Sequence, residues 1–293
     1  MRAERIAGAP ISWGVCEVPG WGHQLPAERV LRDMRDVGLA ATELGPAGFL
    51  PGDPRERAEL LASYGLRAAG GFLPVVLHQP WADPLPAVVP VLDGLVAAGG
   101  GVLVLAAATG HTGYDTRPDL DGASWRVLLR NLDRLATHAA GAGVTTALHP
   151  HVGTAVERPD DVRRVLDGCD VALCLDTGHL LAGGVDPVAL AREVPGRVAH
   201  VHLKDVDGDL ARQVLAGGLG FAEAVRRGIF RPLGHGDLDI AGLVAALEQA
   251  GYGGWYVLEQ DIVLTAEPDG EGPAADVRAS VAFLRGLASG ASP

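Results

Sequence analysis

Short apolar runs alternate along the chain with longer segments whose apolar residues recur every three or four positions. A short apolar run bounded by turn residues reads as a buried strand, and the longer spacing reads as a helix with one buried face. Strands are predicted near residues 6–13, 40–44, 67–74, 102–107, 144–149, 171–175, 198–203 and 255–259. Helices are predicted between them over 27–37, 55–64, 84–98, 125–140, 159–166, 187–194 and 240–250, with 275–287 closing the chain. Several of these helices stop at a glycine, as at Gly38, Gly65, Gly143 and Gly251, where a residue without Cβ takes the left-handed conformation at little cost. Eight strands alternating with helices predict an α/β fold, a (β/α)8 TIM barrel formed as a single domain over 1–293.

The polar residues of the predicted strands sit at their C-terminal ends. Ala147-Leu-His-Pro-His151, Leu173-Cys-Leu-Asp-Thr-Gly-His179, Ala199-His-Val-His-Leu-Lys-Asp205 and Gly254-Trp-Tyr-Val-Leu-Glu-Gln-Asp261 each pass from apolar residues to His, Asp or Glu. In a parallel barrel these ends converge on one face, so His149, Asp176, His202 and Glu259 form a candidate metal site. A lone strand histidine is usually an interior group bonded to a carbonyl, but comparable placement at several strand ends favours a shared ligand. Carboxylates at poorly hydrated strand ends also need a cation. Two imidazoles and two carboxylates suit Mn²⁺ or Co²⁺, with Zn²⁺ or Fe²⁺ as alternatives, rather than Ca²⁺ or Mg²⁺.

Strand spacing adds a feature. His149, Asp176, His202 and Glu259 follow one another at intervals of 27, 26 and 57 positions, so the seventh βα loop is extended. Within it residues 210–227 are expected to form a helix and Gly228-Ile-Phe-Arg-Pro-Leu-Gly-His-Gly236 a glycine-rich return, together a partial lid over the face. Residues after Ser289 are small and polar and are expected to fray.

At 293 residues, 48% of them hydrophobic, the chain can bury an enzyme-sized core. The net charge of −12 carries no basic block, which disfavours nucleic acid as a partner. Cys16, Cys169 and Cys174 are too few and too irregularly spaced for a disulfide framework or a thiolate zinc site, and Cys174 reads as buried one layer below Asp176. No apolar stretch has the length of a signal peptide or a membrane span, so a cytoplasmic protein without a membrane partner is expected. A homo-oligomer is compatible with the sequence. The runs Gly70-Gly71 and Gly99-Gly-Gly101 match neither a phosphate-binding loop nor a dinucleotide fingerprint and read as turns and close packing.

Thr42-Glu-Leu-Gly45, Leu175-Asp-Thr-Gly-His179, His200-Val-His-Leu-Lys-Asp205, Pro232-Leu-Gly-His-Gly-Asp237 and Val257-Leu-Glu259 together resemble the xylose-isomerase-like TIM-barrel superfamily of sugar isomerases and epimerases over nearly the whole chain. Within it, Ala9-Pro-Ile-Ser-Trp-Gly14, Thr42-Glu-Leu-Gly-Pro-Ala-Gly-Phe-Leu-Pro51 and His149-Pro-His-Val-Gly-Thr154 are similar to the inosose dehydratase branch, which removes water from 2-keto-myo-inositol. The resemblance implies that His149, Asp176, His202 and Glu259 hold the metal, that His179 aligns with a histidine binding substrate oxygen, and that Arg231 aligns with a substrate-binding arginine. Two departures matter: the epimerases carry Glu where this chain has His149, and many relatives carry Glu where it has His235.

The reading is a metal-dependent lyase dehydrating a polyhydroxy ketone, with a small polyol ketone or sugar as substrate and no redox cofactor. His151, His179 and Lys204 are the candidate proton-transfer residues, in no fixed order. Glu43, Trp13, Arg231 and His235 are the candidate substrate contacts. Glu43 could equally support a ligand or pair with an arginine, and Trp13 and Trp21 could equally pack at the barrel mouth. His111 and Tyr114 lie in the loop after the fourth strand and could reach substrate. The rival chemistry is a ketose epimerase or isomerase using an enediolate. A rival of another class is a binding protein on a decayed barrel, against which the complete four-strand set argues.

Overall fold

A computed structural model describes residues 3–111 and 113–289, and the tail expected to fray lies outside the described residues from 290 onward. Eight parallel strands close into a barrel: β1 (Ile6–Gly8), β2 (Ala41–Glu43), β3 (Arg67–Val76), β4 (Val102–Ala108), β5 (Thr145–Leu148), β6 (Ala172–Asp176), β7 (Val198–Leu203) and β10 (Tyr256–Leu258), with β10 returning to pair with β1. Helices α1 (Ala27–Asp36), α2 (Pro54–Ser63), α3 (Leu85–Ala97), α4 (Gly122–Gly141), α5 (Pro159–Gly168), α7 (Pro187–Glu193), α10 (Ile240–Gln249) and α11 (Ala274–Ser289) alternate with the strands. The protein is a (β/α)8 TIM barrel.

The main core lies between strands and helices, where Leu103, Leu105, Leu148, Leu173 and Leu175 meet Leu128, Leu132 and Val165. The opposite face of the strands carries small residues, Ala7, Ala41, Ala147, Cys174 and Val257, all fully buried. A strand turns every second side chain to the same side. Two positions beyond these interior residues, β2, β5, β6 and β10 carry Glu43, His149, Asp176 and Glu259. Small side chains thus fill the barrel axis and polar ones crown it.

The first strand is shorter than its sequence suggests. The chain leaves β1 after Gly8 and turns through a 3-10 helix, Pro10–Trp13, closed by Gly14 at φ 77°. That turn sends Trp13 back against Met34 and Leu39, fully buried, with its indole N–H donating to Asp33 at 3.2 Å. Trp13 is therefore a core residue and does not line the central cavity.

The extended seventh loop forms a small unit of its own. It contains β8 (Asp205–Val206), α8 (Gly208–Leu215), α9 (Phe221–Arg226) and β9 (Phe230–Arg231), with β8 and β9 antiparallel. The expected helix over 210–227 is two shorter ones. Val206, Ala211, Phe221, Ala224, Ile229 and Phe230 pack together and against Trp21 and Val152. Asp205 clasps the glycine-rich return: Oδ2 accepts from the N–H groups of Gly234 (2.8 Å) and Gly236 (3.0 Å), and Oδ1 from those of Val206 (2.9 Å) and Leu238 (3.1 Å). A Cβ on Gly236 would lie 2.3 Å from Asp205 Oδ1 and 2.5 Å from the Val206 nitrogen.

Two expected substrate contacts are corrected here. His235 stands exposed on this turn, because the backbone rather than the side chain faces Asp205. In β9 the two-residue period buries Phe230 and turns Arg231 outward, where it pairs with Asp207 at 3.0 Å beside a separate surface depression. The motif around Pro232 is a structural clasp. Gly236→Ala should accordingly lower the unfolding free energy by about 2–3 kcal/mol in urea titrations, while His235→Ala should stay within about 0.5 kcal/mol of the parent.

Candidate metal centre

β5, β6, β7 and β10 deliver their terminal side chains to one end of the barrel, those of His149, Asp176 and His202 converging most closely. The His149 N–H extends the ladder to Leu105 O (2.7 Å), and the Glu259 N–H does the same to Leu203 O (3.1 Å), so both residues keep strand direction just past their strands. Asp176 and His202 are directly paired across β6 and β7. Asp176 also starts a short helix, α6 (Thr177–Ala182): its Oδ1 accepts from the His179 N–H at 2.8 Å. The cap uses one oxygen and leaves Oδ2 for the cavity. Asp176 Oδ2 lies 3.3 Å from His149 Nε2 and 3.4 Å from His202 Nδ1, and Glu259 Oε2 lies 3.2 Å from His202 Nδ1.

These atoms fit a cation. The ligand atoms of His149, Asp176 and His202 all lie within 4.8 Å of one another. His149 Nε2, His202 Nδ1 and Asp176 Oδ2 are buried without a hydrogen-bond partner. Buried polar atoms are rarely left unpaired, and orphans of complementary type converging on one point are what a metal satisfies. The charges agree: the carboxylates of Glu43, Asp176, Glu259 and Asp261 are all buried, and the buried ammonium among them is that of Lys204.

Lys204 is clamped by Thr177, whose hydroxyl donates to the Lys204 carbonyl (2.6 Å) and accepts from its N–H (2.8 Å). Its ammonium bonds Glu259 and lies 2.9 Å from Asp261 and 3.3 Å from Asp176. Burial pushes this lysine down, but Asp176, Asp261 and Glu259 outweigh it and hold it well above the usual ammonium range. The Lys204 ammonium is thus paired with three buried carboxylates.

The two remaining histidines are neutral. Burial, reinforced by His149, pushes His151 down to about 3, and burial together with His151 holds His179 well below the usual imidazole range. Their rings stack at 3.6 Å. His151 Nδ1 is 2.7 Å from the Val152 carbonyl, which can only accept, so Nδ1 carries the proton and Nε2 is the lone-pair nitrogen.

A cavity of about 480 Å³ opens over this cluster, lined by His149, His151, His179, His202, Lys204 and Glu259 on its polar side and by Phe72, Trp21, Tyr114 and Phe221 among the others. Glu43 lines it as well, bonded to two histidines rather than to an arginine. Tyr114 lies 4.6 Å from His151 and donates its hydroxyl to Glu17 (2.7 Å), joining the first and fourth βα loops across the mouth. Gly153 admits it: φ is 74°, and a Cβ there would meet the Tyr114 carbonyl oxygen at 2.2 Å. His111 stands exposed outside.

Sequence reading missed Asp261, Thr177 and Ser12. Asp261 sits one strand period beyond Glu259, and that spacing was the available signal. Its carboxyl is pushed up to about 6 by burial and Glu259, against the opposing pull of Lys204, and it lies 3.8 Å from His179 Nε2. Ser12 accepts from the Gln260 N–H (2.9 Å) and donates to the Leu258 carbonyl (3.3 Å), which steadies the segment bearing Glu259 and Asp261. Neither hydroxyl had a sequence signal of its own.

Comparison with known proteins agrees with the barrel. The family described as xylose isomerase-like TIM barrel matches residues 31–287. The rhizopine catabolism protein MocC of Rhizobium meliloti is 37% identical over 266 residues, covering 88% of this chain and 81% of that protein. An inosose dehydratase of Geobacillus kaustophilus is 33% identical over 270 residues, covering 88% and 87%. Among solved structures, an L-ribulose 3-epimerase superposes with a TM-score of 0.72 at 18% identity over 98% of this chain and 95% of that one, a likeness of fold.

Two outcomes follow from the geometry. Asp176→Asn should weaken divalent-metal binding by more than about tenfold, measured by metal analysis after dialysis, while cooperative unfolding is retained. Because the folded state holds His151 below its unfolded value near 6.5, unfolded chains bind the proton first. Stability is present above that value and is lost as pH falls from about 6.5 towards 3. Urea midpoints at pH 7 and pH 5 should differ less in His151→Phe than in the parent.

Proposed function

The chain belongs to the xylose isomerase-like TIM-barrel family, and we propose that within it the protein is a metal-dependent dehydratase of a cyclic polyhydroxy ketone, an inosose or a close cyclitol or sugar analogue. It is an enzyme of the dehydratase and epimerase kind, and the inosose dehydratases at up to 33% identity support the dehydratase side. The observation that carries the reading is His149. At the end of β5, where the resemblance places a proton-shuttling carboxylate in the epimerases, this chain has a buried imidazole whose Nε2 is unpartnered and 3.3 Å from Asp176. It serves as a ligand, which removes one base from a two-base epimerisation.

His149, Asp176, His202 and Glu259 would hold a divalent transition ion, Mn²⁺ or Co²⁺ by donor type, and such an ion supplies Lewis-acid polarisation of a ketone oxygen. The protein's residues do the rest. His151 Nε2 takes the proton from the carbon next to the ketone, and its Nδ1–H bond to Val152 stabilises the resulting imidazolium. The electron pair left on the carbon forms the new C=C bond as the neighbouring C–O bond breaks. The imidazolium of His151 then returns its proton to the departing hydroxyl, which leaves as water and restores neutral His151, while neutral His179 stacks against that ring at 3.6 Å. Lys204 holds Glu259 and Asp261 in place with a charge that does not titrate near neutral pH. Phe72, Tyr114 and Phe221 wall the cavity against water.

Incubating the metal-loaded protein with 2-keto-myo-inositol should give a product lighter by one water, and His151→Gln should lower kcat by about 10²–10⁴-fold. In D₂O, an unchanged skeleton carrying deuterium at an inverted carbon, with no water lost from any inosose, would establish an epimerase instead.

A further inference from the structure

Glu43 is outside the ligand set, yet its carboxylate is among the most constrained groups in the mouth. Pairing between β2 and β3 slips at this point, Thr42 facing Ala68 and Glu43 facing Gly70. Such a slip re-aims a side chain. Opposite it, Gly70 leaves the room required: a Cβ there would stand 3.3 Å from the His200 ring and 3.4 Å from Glu43 Oε1. Into that space Oε1 accepts two hydrogen bonds, from His200 Nε2 at 2.8 Å and His202 Nε2 at 2.9 Å, with all three side chains buried.

One ionised oxygen can accept from both rings only when both Nε2 atoms carry protons. When His202 gives up its other ring proton to bind an ion, the lone pair is therefore on Nδ1. That is the atom left without a hydrogen-bond partner, 3.4 Å from Asp176 Oδ2 and 3.2 Å from Glu259 Oε2. We infer that Glu43 is a positioning residue that locks His202 with Nε2 protonated and Nδ1 turned to the metal, His200 bracing the same oxygen from below.

This inference rests on the metal reading of the centre. The same three residues could instead be read as a second cation site, since their ligand atoms also lie within 4.8 Å of one another. Hydrogen bonding decides against that: the Nε2 atoms facing Glu43 are already satisfied. A carboxylate behind a metal-bound imidazole fixes its tautomer and raises its basicity, and its loss costs about 10–100-fold in metal affinity.

The test uses the full chain and Zn²⁺ as a diamagnetic probe. Long-range ¹H–¹⁵N correlation on histidine-labelled, Zn²⁺-loaded protein should show His202 protonated at Nε2 and coordinated through Nδ1, with one ion per chain. By calorimetry, Glu43→Gln should bind Zn²⁺ about 10–100-fold more weakly while melting cooperatively without metal. A purely structural Glu43 would change the melting point of the metal-free protein and leave both affinity and tautomer alone. Coordination through Nε2, two ions per chain, or Glu43→Gln affinity within about twofold of the parent would each overturn the inference while leaving a metal centre standing. A parent protein that takes up no ion would overturn both. The tautomer measurement needs no variant, so it decides the matter even if Glu43→Gln fails to fold.

Discussion

Buried negative charge at the mouth of the barrel is the constraint around which the site is arranged. Glu43, Asp176, Glu259 and Asp261 are all withdrawn from water, where an uncompensated carboxylate costs several kcal/mol or changes its protonation state. Their partners are Lys204, His200 and His202, and each is spoken for: Lys204 by three acids, His200 and His202 by Glu43. What is left over is a nitrogen each of His149 and His202 facing Asp176 Oδ2, an oxygen that Lys204 approaches at 3.3 Å without a hydrogen bond, and a divalent ion completes that arrangement. Thr177, Ser12 and the cap on α6 hold the strand ends that keep these groups together.

The barrel provides this economically. Its interior is filled with alanine, cysteine and valine, and one strand period further along the same strands carry the acids and imidazoles. Because that period is two, the interior layer and the chemical layer are written in the same stretch of sequence. The extended seventh loop contributes Phe221 to the cavity wall from a packed unit held on Asp205, so part of the wall is built by an element outside the barrel.

That regularity explains what could be read in the sequence. His149, Asp176, His202 and Glu259 end apolar runs, and the structure brings Asp176 within 3.4 Å of both His149 and His202, with Glu259 reaching His202 alone of the three. Asp261 escaped because reading stopped at the first carboxylate, two residues earlier, and the irregular segment after β10 sets its direction. Trp13, Arg231 and His235 were misplaced for a shared reason: each sits in a turn or a two-residue ribbon, where side-chain direction comes from local backbone geometry and not from a repeating pattern. Glu43 was legible as a polar residue at a strand end, but its two histidine partners depend on a register slip that no spacing reveals.

The account turns on where an ion binds. Crystals soaked in Mn²⁺ and measured for anomalous scattering locate it without reference to any substrate. The account predicts one strong peak in contact with His149 Nε2, Asp176 Oδ2, His202 Nδ1 and a Glu259 carboxylate oxygen. Absence of a peak at saturating Mn²⁺, or a peak elsewhere with those atoms still unligated, would contradict it.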